Sequence, residues 1–430
     1  MNVTVVALGK IGLPLSVQIA ANGHTVVGVD IDPRVVDLVN EGREPFPGEA
    51  ELDVRLEAVV TAGSLRATTD FADAIPGADA VVVVVPVVVD LDARPDFRAI
   101  DAATEAIGTH LTAGTLVSYE TTLPVHTTRQ RFVPGLERAS GLAPGRDFFV
   151  CHSPERVFTG RVFADLRKYP KLVGAVDEPS AARAVDFYQQ VLDFDERDDL
   201  PQPNGVWDLG SAEAAELAKL AETTYRNINI ALANELALHA ESIGIDVLPV
   251  IDAANSQPFS HIHRPGIAVG GHCIPVYPKF YLSVDEQATL PAAAIELNES
   301  MPRRAAEATR AHVGDLRGKR VAVLGVAYRG GVKETAFSGA FPLAAALREM
   351  GAEVVAHDPL YDDDELTSLG FEPHHLGDPC DAAVIQTDHD RYRDLRADDL
   401  PGAAFVYDGR RVVDAARLAP IAVHVIGTGH

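Results

Sequence analysis

The chain has 430 residues, a length that predicts two or three domains, and 47% of them are hydrophobic, as expected of a globular protein with sizeable cores. Its formal net charge of −25 argues against nucleic acid or an anionic membrane surface as a partner. Cys151, Cys273 and Cys380 are too few for a disulfide framework and lack metal-ligand spacing, so we expect no metal site. There is no signal-peptide pattern, and the longest apolar run, residues 80–89, is too short to span a membrane. We therefore expect a cytoplasmic protein.

The N-terminal part has the pattern of alternating strands and helices. Residues 3–8 form an apolar run typical of a buried strand, "GKIGLP" turns the chain, and residues 13–22 suit a helix that Gly23 ends. The segment "TVVGVD" predicts the second strand. Further buried strands are predicted in "ADAVVVVV", "TLVSYE" and "DFFVCHS". This alternation predicts a parallel sheet with helices on both faces.

The pattern changes after residue 205 and changes back near residue 317. Residues 211–244, opened by Ser211 as a candidate N-cap, predict one long helix, and a loop rich in glycine and proline follows at 257–280. Strands are then predicted in "RGKRVAVLGVAY", "GAEVVAHDP", "DAAVIQTDHD" and "AAFVYDGR".

We therefore predict an α/β protein with two Rossmann-like, doubly wound lobes, joined by a long central helix and a helical middle domain. The predicted domains are residues 1–205, 206–310 and 311–430.

The turn after the first strand has the features of a dinucleotide site. Gly9 and Gly12 allow close approach of a pyrophosphate to the backbone, and Asp30, 21 residues after Gly9, ends the second strand where a ribose would lie. Ala7 replaces the usual first glycine, so an ordinary tight turn is the alternative interpretation. An acidic Asp30 favours NAD over NADP. The turn in "VLGVAYRGG" is weaker and favours folding, or a nucleotide substrate, over a second dinucleotide.

Three further residues have both a chemical and a structural interpretation. Cys273 follows two glycines in a shaped loop, as a nucleophilic thiolate requires, although a lone cysteine is commonly a small buried residue. Lys219 lies in an apolar part of the long helix, with Thr223 one turn later, yet helical lysines are commonly solvated. Glu155 follows a strand, where α/β sheets place their sites, and is equally consistent with a structural carboxylate.

Together these motifs resemble the UDP-glucose/GDP-mannose dehydrogenase family. The similarity runs through "GKIGLP", "VDIDP", "TTLPVHTTR", "CHSPERVFTG", "SAEAAELAKLAETTYRNINIALANEL", "RPGIAVGGHCIPVYP", "VAVLGVAYRGG", "HDP" and "YDGR". The "SPERV" and "GGHC" segments are most similar to the branch that acts on UDP-N-acetylhexosamines, such as UDP-N-acetylmannosamine.

The resemblance implies an NAD-dependent, four-electron oxidation of the 6-hydroxymethyl group of a nucleotide sugar to a uronic acid. It implies that Cys273 carries a thiohemiacetal and then a thioester, and that Lys219 stabilises the developing oxyanion. Glu155 is matched to the glutamate associated with the hydrolytic water, Thr122 to a threonine near the nicotinamide, and Thr223 to a hydrogen-bonding position. It also implies a homodimer through the central helix.

The resemblance further implies two sets of binding residues. The cofactor set is Gly9, Ile11, Gly12, Asp30, Val87 and Thr122. The substrate set is Glu155, Arg156, Lys219, Arg264, Gly270, Gly271, Tyr277 and Arg329.

Four positions depart from the family pattern. Thr223 replaces an asparagine, Tyr277 an aspartate, Ala336 an arginine and Val87 a threonine. Two other functions therefore stay open: a two-electron dehydrogenase of the related β-hydroxyacid type, and a non-catalytic protein that binds nucleotide sugars.

Overall fold

The computed structural model describes residues 1–90 and 94–429. The chain divides into two compact units, Met1–Glu222 and Thr223–His430.

The first unit is an α/β domain built on one large sheet. Its strands are β1 (Asn2–Val6), β2 (Thr25–Val29), β3 (Leu65–Thr68), β4 (Ala80–Val83), the short hairpin β5 (Val88–Val89) and β6 (Pro95–Asp96), β7 (Leu116–Tyr119), β8 (Phe149–His152), β9 (Lys171–Ala175) and β10 (Val206–Asp208). Its helices are α1 (Gly12–Ala21), α2 (Pro33–Asn40), α3 (Leu52–Thr61), α4 (Phe71–Ala74), α5 (Arg98–His110), α6 (Val133–Ser140), α7 (Val162–Lys168) and α8 (Glu178–Val191).

The large sheet has the order β10-β9-β8-β7-β4-β1-β2-β3. The predicted parallel sheet is confirmed from β3 to β8. One pair differs, because β9 runs antiparallel to β8, with Cys151 opposite Ala175 and His152 opposite Gly174. The reversal brings the start of β9 to the edge of the sheet where β7 and β8 end.

The second unit contains a smaller sheet of parallel strands. These are β11 (Arg320–Leu324), β12 (Glu353–His357), β13 (Glu372–Pro373), β14 (Ala382–Ile385), β15 (Phe405–Asp408) and β16 (Ala422–Val425). Their order, β13-β12-β11-β14-β15-β16, is that of a dinucleotide-binding fold. The helices are α10 (Val247–Asn255), α11 (Tyr277–Val284), α12 (Thr289–Val313), α13 (Ala340–Glu349), α14 (Asp363–Ser368) and α15 (Ala415–Leu418). Two Rossmann-like lobes are thus confirmed.

The long helix α9 (Ala212–Ile243) confirms the predicted central helix. It has neither glycine nor proline in its interior, and the boundary between the two units falls within it. The predicted loop at 257–280 is shorter than expected, because α11 already begins at Tyr277, with Pro278 in the first turn, where proline costs no hydrogen bond. Among the described residues, none of the helices combines the length and apolar composition needed to cross a membrane.

Candidate functional site

The turn after β1 is shaped by two close backbone approaches. A Cβ atom at Gly12 would lie 1.9 Å from the carbonyl oxygen of Ala7, so only glycine fits there. Ala7 has φ +78°, the left-handed conformation that the usual first glycine would adopt at lower cost. Gly9 is exposed, with open space where a Cβ would be. Ile11 is the N-cap residue of α1. The turn thus keeps the dinucleotide geometry despite Ala7.

Asp30 and Asp358 occupy corresponding positions after the second strand of each lobe but differ in what their carboxylates can still bind. Asp30 is half-buried and accepts hydrogen bonds from the N–H groups of Leu8 (2.8 Å) and Asp32 (2.9 Å). Asp358 is 3% exposed. It accepts bonds from the N–H groups of Val326, Ala327 and Leu360 and lies 3.1 Å from His389 Nε2. Asp30 is the more exposed of the two carboxylates and accepts fewer hydrogen bonds, which supports a dinucleotide site in the first lobe.

Val87 and Thr122 lie in neighbouring loops at the carboxyl edge of the large sheet. Both side chains are buried. The hydroxyl of the adjacent Thr121 donates to the carbonyl oxygen of Val85 (2.7 Å), which ties the loop after β7 to the loop after β4. Val87 is therefore a buried apolar side chain at this edge, without a hydroxyl to bind a ligand.

The first turns of α9 hold the Thr122 loop through a buried carboxylate. Glu216 accepts hydrogen bonds from the N–H groups of His126 (2.7 Å) and Thr128 (2.8 Å) and from the Thr128 hydroxyl (2.7 Å). Burial raises the pKa of Glu216 to about 7. His126 adopts φ +74°, a strained conformation in which its N–H points at this carboxylate. Lys219, one turn later on α9, is also buried, at 6% exposure, as is Thr223.

Glu155 and Arg156 lie in the loop that follows β8. The Glu155 carboxylate accepts hydrogen bonds from the N–H groups of Arg156 (2.6 Å) and Val157 (3.2 Å) and from Lys171 Nζ (2.8 Å). Arg156 Nε donates to Glu222 of α9 (3.0 Å), one turn beyond Lys219. The structure therefore anchors the Thr122 loop and the Glu155 loop to the same end of α9 as Lys219.

In the second unit, the cysteine loop is built against the loop that follows β11. A Cβ at Gly270 would lie 2.6 Å from Tyr328 Cβ, and one at Gly271 would lie 3.1 Å from the Tyr328 ring. The N–H of Gly271 donates to the carbonyl of Ala336 (2.8 Å). Both glycines are therefore required by close packing, and Ala336 takes part through its backbone.

Cys273 is half-exposed and begins the turn into α11. Its carbonyl oxygen accepts bonds from the N–H groups of Val276 (3.3 Å) and Tyr277 (2.9 Å). The Tyr277 ring lies 5.5 Å from that of Phe280, so Tyr277 also packs on its own helix. The cysteine is thus accessible in a fixed backbone.

Arg329 and Arg264 are both exposed and differ in their partners. Arg329 Nε donates to the hydroxyl of Tyr328 (3.3 Å), beside the cysteine loop. Arg264 pairs with Asp252 of α10 at 2.7 Å.

Three groups went unnoticed in the sequence. Arg410 donates from Nε to the carbonyl of Gln386 (2.7 Å) and burial lowers its pKa, so it is a desolvated cation beside Gly266. Lys171, in "YPKLVGA", is a charged residue at the start of an otherwise apolar strand, and that contrast could have revealed it. Glu216 gave no signal beyond being a carboxylate one turn before Lys219.

Three models of one family match the chain in succession. Described as the NAD binding, central and UDP binding domains of the UDP-glucose/GDP-mannose dehydrogenase family, they match residues 1–192, 213–302 and 322–415. The chain belongs to this family. The dehydrogenase accordingly uses NAD and oxidises a nucleotide sugar, and the turn around Gly12, with Asp30, fits the cofactor.

Individual relatives cover the dehydrogenase from end to end. The UDP-N-acetyl-D-mannosamine dehydrogenase of Pyrococcus horikoshii is 34% identical over 421 residues, 96% of each chain. The NDP-N-acetyl-D-galactosaminuronic acid dehydrogenase of Ralstonia solanacearum is 31% identical, with 97% of each chain covered. The solved structure of the UDP-D-ManNAc dehydrogenase of Pyrococcus horikoshii has a TM-score of 0.88 and 32% identity, with 100% of both chains covered.

Proposed function

We propose that this dehydrogenase converts the 6-hydroxymethyl group of a UDP-N-acetylhexosamine to the carboxylate in two oxidations, with Cys273 as the covalent nucleophile. The observation that carries the proposal is the half-exposed Cys273 in a glycine loop built against Tyr328 of the UDP-binding lobe. The choice of an N-acetylated sugar rests on the names of the relatives that are similar over nearly the whole chain.

The proposed chemistry divides a difficult oxidation into steps on a sulfur atom. Bound NAD supplies the hydride acceptor for each oxidation. The alcohol loses a hydride and a proton to give an aldehyde, and the Cys273 sulfur adds to its carbonyl carbon while the oxygen takes a proton. Loss of a second hydride and a proton leaves a thioester. Water then adds, the C–S bond breaks, and the acid and the thiol are released.

The other predicted residues are assigned by their charge and placement. Lys219, buried on α9, stabilises negative charge on the reacting oxygen, and Thr223 donates a hydrogen bond beside it. Glu155 accepts the proton of the hydrolytic water. Thr122 and Val87 border the nicotinamide, and Ile11 the pyrophosphate turn.

The nucleotide sugar is assigned to residues of the cysteine loop and the UDP-binding lobe. Arg329 and Arg264 are exposed cations suited to a diphosphate, and Gly270 and Gly271 let the backbone approach the sugar. Tyr277 and, from the loop after β8 in the first unit, Arg156 complete this set. The three-domain division at residues 205 and 310 is part of the proposal.

The dehydrogenase is proposed to form a homodimer through α9. The exposed face of this helix is apolar at its centre, where Tyr225 is 57% and Leu232 45% exposed seven residues apart. Ile243 continues the stripe, and Glu235 lies at its margin. An apolar stripe of this length on a long helix is suited to a second copy of the same helix.

The experiment that tests the function is the ratio of NADH formed to sugar consumed, with excess NAD and a panel of UDP-, GDP- and dTDP-hexoses and their N-acetyl forms. We expect two NADH per sugar with a UDP-N-acetylhexosamine. Cys273→Ser should stop net uronic acid formation, and Cys380→Ser, a buried cysteine of the same unit, is the matched control and should keep it.

Other outcomes would favour the rival functions. One NADH per sugar would point to a two-electron dehydrogenase, and no NADH across the panel would point to a binding protein. Undiminished uronic acid from Cys273→Ser would overturn the covalent route.

A further inference from the structure

A buried cluster of three charges lies at the carboxyl edge of the large sheet and has no role in the scheme above beyond Glu155. Lys171 Nζ lies 2.8 Å from Glu155 Oε2 and 2.9 Å from Glu120 Oε2. The side chains of Lys171 and Glu120 are 5% and 0% exposed. Burying charges is costly unless they pair, and two carboxylates on one ammonium leave the cluster with a net negative charge.

The reversed direction of β9 creates this cluster. Continuing the antiparallel register of β8 and β9 places Lys171 opposite Glu155. Ser153 supports that register, since its hydroxyl donates to the carbonyl of Leu172 (2.7 Å). The N–H of Glu155 donates to the carbonyl of Glu120 (3.1 Å), so the loop after β8 is also tied to the end of β7. A parallel β9 would begin at the opposite edge, away from Glu155.

The Glu155 carboxylate has Lys171 as an ion-pair partner, and further groups reach the cluster from α8, β8 and the loop after β8. From α8, the Tyr188 hydroxyl donates to Glu120 (2.6 Å) and contacts the Ser118 hydroxyl of β7 (2.7 Å). From β8, Cys151 is a buried thiol, and burial together with Lys171 lowers the pKa of His152 to about 3, so it is neutral. Arg156 directs its guanidinium to Glu222. Lys171 is therefore a buried ammonium that compensates the charge of Glu155.

The two carboxylates respond differently to this shared ammonium. Burial raises the pKa of Glu120 to about 7, despite Lys171. Burial also acts to raise the pKa of Glu155, but the Lys171 charge and the N–H of Arg156 outweigh it, so the net direction is downward. The ammonium thus favours the charged form of Glu155, while burial disfavours the charged form of Glu120.

We propose that Lys171 is a positioning residue for hydrolysis of the thioester, which keeps Glu155 ionised and fixes the direction of its carboxylate, with Glu120 as the competing anion. The inference rests on the proposed function. In the hydrolytic step, water forms a bond to the thioester carbon, the C–S bond breaks, and Glu155 takes one water proton and passes it to the departing thiolate or to solvent. Only an ionised Glu155 can accept that proton.

The test measures hydrolysis of the acyl-enzyme separately from oxidation. Enzyme, NAD and the sugar that gives two NADH are mixed, quenched in acid at intervals, and the intact protein mass reports the fraction of Cys273 carrying the uronyl group. The hydrolysis rate is followed from pH 3 to 9 in wild type, Lys171→Met, Lys171→Arg and Glu120→Gln, because the wild-type acidic limb is expected below pH 4.5.

Substitution of Lys171 and substitution of Glu120 should shift the acidic limb of the pH–rate profile in opposite directions. A base must be deprotonated, so the rate is lost as pH falls through its pKa. Without the ammonium, Lys171→Met should move this acidic limb about one pH unit or more upward. Because the Glu155 carboxylate also loses the partner that fixes its direction, hydrolysis at pH 7 should slow about tenfold, with acyl-enzyme accumulating. Glu120→Gln removes the competing anion and should move the limb downward. Lys171→Arg keeps the charge and should restore most of the rate.

Several outcomes separate this inference from the proposed function. In one outcome, wild type forms and hydrolyses the acyl-enzyme, and the acidic limbs of Lys171→Met and Glu120→Gln both coincide with the wild-type limb. The role of Lys171 is then overturned, and the proposed function stands. If wild type never acquires the acyl mass, the covalent function falls and this inference with it. Should Lys171→Met fail to fold, as loss of a buried cation allows, Glu120→Gln decides alone: a limb that does not move downward contradicts the inference.

Discussion

At the residue scale, Gly9 and Gly12 of the turn after β1 have different structural requirements. Gly12 is required for folding, because a Cβ there would lie 1.9 Å from a carbonyl oxygen that cannot move without distorting β1. Gly9 is surrounded by open space, so packing within the chain does not require a glycine there, and its predicted role is to leave room for the cofactor. The position of Ala7 in the left-handed region shows that the usual first glycine is a preference that one strained residue can replace, at a cost of about 1–2 kcal/mol.

The two glycines give a matched pair of variants. Gly9→Ala should keep the melting temperature of wild type but raise the KM for NAD about tenfold or more, since the methyl group occupies the space beside the pyrophosphate. Gly12→Ala should lower the free energy of unfolding by about 1–3 kcal/mol, as overpacking does. Thermal unfolding and steady-state kinetics measure both effects. An unchanged KM in Gly9→Ala would contradict the assignment of this turn to NAD.

At the scale of elements, α9 organises the loops that carry the predicted catalytic residues of the first unit. It binds the Thr122 loop through Glu216 and the Glu155 loop through Glu222, on either side of Lys219. A carboxylate is suited to the first of these tasks because it accepts several bonds at once, here from two backbone N–H groups and a hydroxyl. The price is burial of a negative charge.

That buried charge makes a pH-dependent contribution to stability. The folded pKa of Glu216, about 7, lies above its ordinary value of 4.5, so the folded state holds the proton more tightly. Its contribution is greatest below pH 4.5 and is lost as pH rises through 7. We therefore expect the stability of wild type relative to Glu216→Gln to fall by about 1–3 kcal/mol between pH 5 and 8. Denaturant unfolding at both pH values measures this difference.

Glu213, one turn earlier on the same helix, is the matched control. It pairs with Arg129 at 2.6 Å, and this hydrogen bond lowers its pKa. Its contribution is present above its ordinary pKa and is lost only in acid, so Glu213→Gln should show no such change between pH 5 and 8. If the two variants behave alike, the ionisation of Glu216 is not the cause.

At the scale of the whole molecule, two lobes share a strand order but differ in how deeply the acid after the second strand is buried, because Asp30 is half-buried and Asp358 is 3% exposed. In the second lobe, the backbone N–H groups of β11's turn and a histidine occupy Asp358. Repetition of a fold therefore does not imply repetition of its ligand. The apolar face of α9 adds a second feature at this scale, since Tyr225 and Leu232 are left in solvent by a single chain.

The proposed dimer predicts a change of mass on substitution of that face. Leu232→Glu places a charge at the centre of the stripe and should give a monomer by light scattering or sedimentation. Glu235→Gln, exposed three residues later at the margin, should leave the wild-type mass. A monomeric wild type, or a Leu232→Glu variant that stays dimeric, would contradict pairing through this face.

The sequence determined the fold class and the order of its elements, because strand and helix periodicities and the glycine turns are local properties. The long helix is confirmed within one residue at each end. Family membership and NAD followed from motifs that recur in a fixed order, and both are confirmed. The individual site residues, the dimer, the domain boundaries and the cytoplasmic location stay predictions.

What the sequence could not supply was the set of partners that tertiary structure brings to each group. Glu120 and Glu155 lie at the ends of the neighbouring parallel strands β7 and β8, and Lys171 meets them only because β9 turns back antiparallel to β8. Strand direction depends on the path of the preceding connection, which no local pattern encodes. The charge state of Glu155 and the hold of Glu216 on the Thr122 loop arise from contacts between distant segments, and so only the tertiary structure decided them.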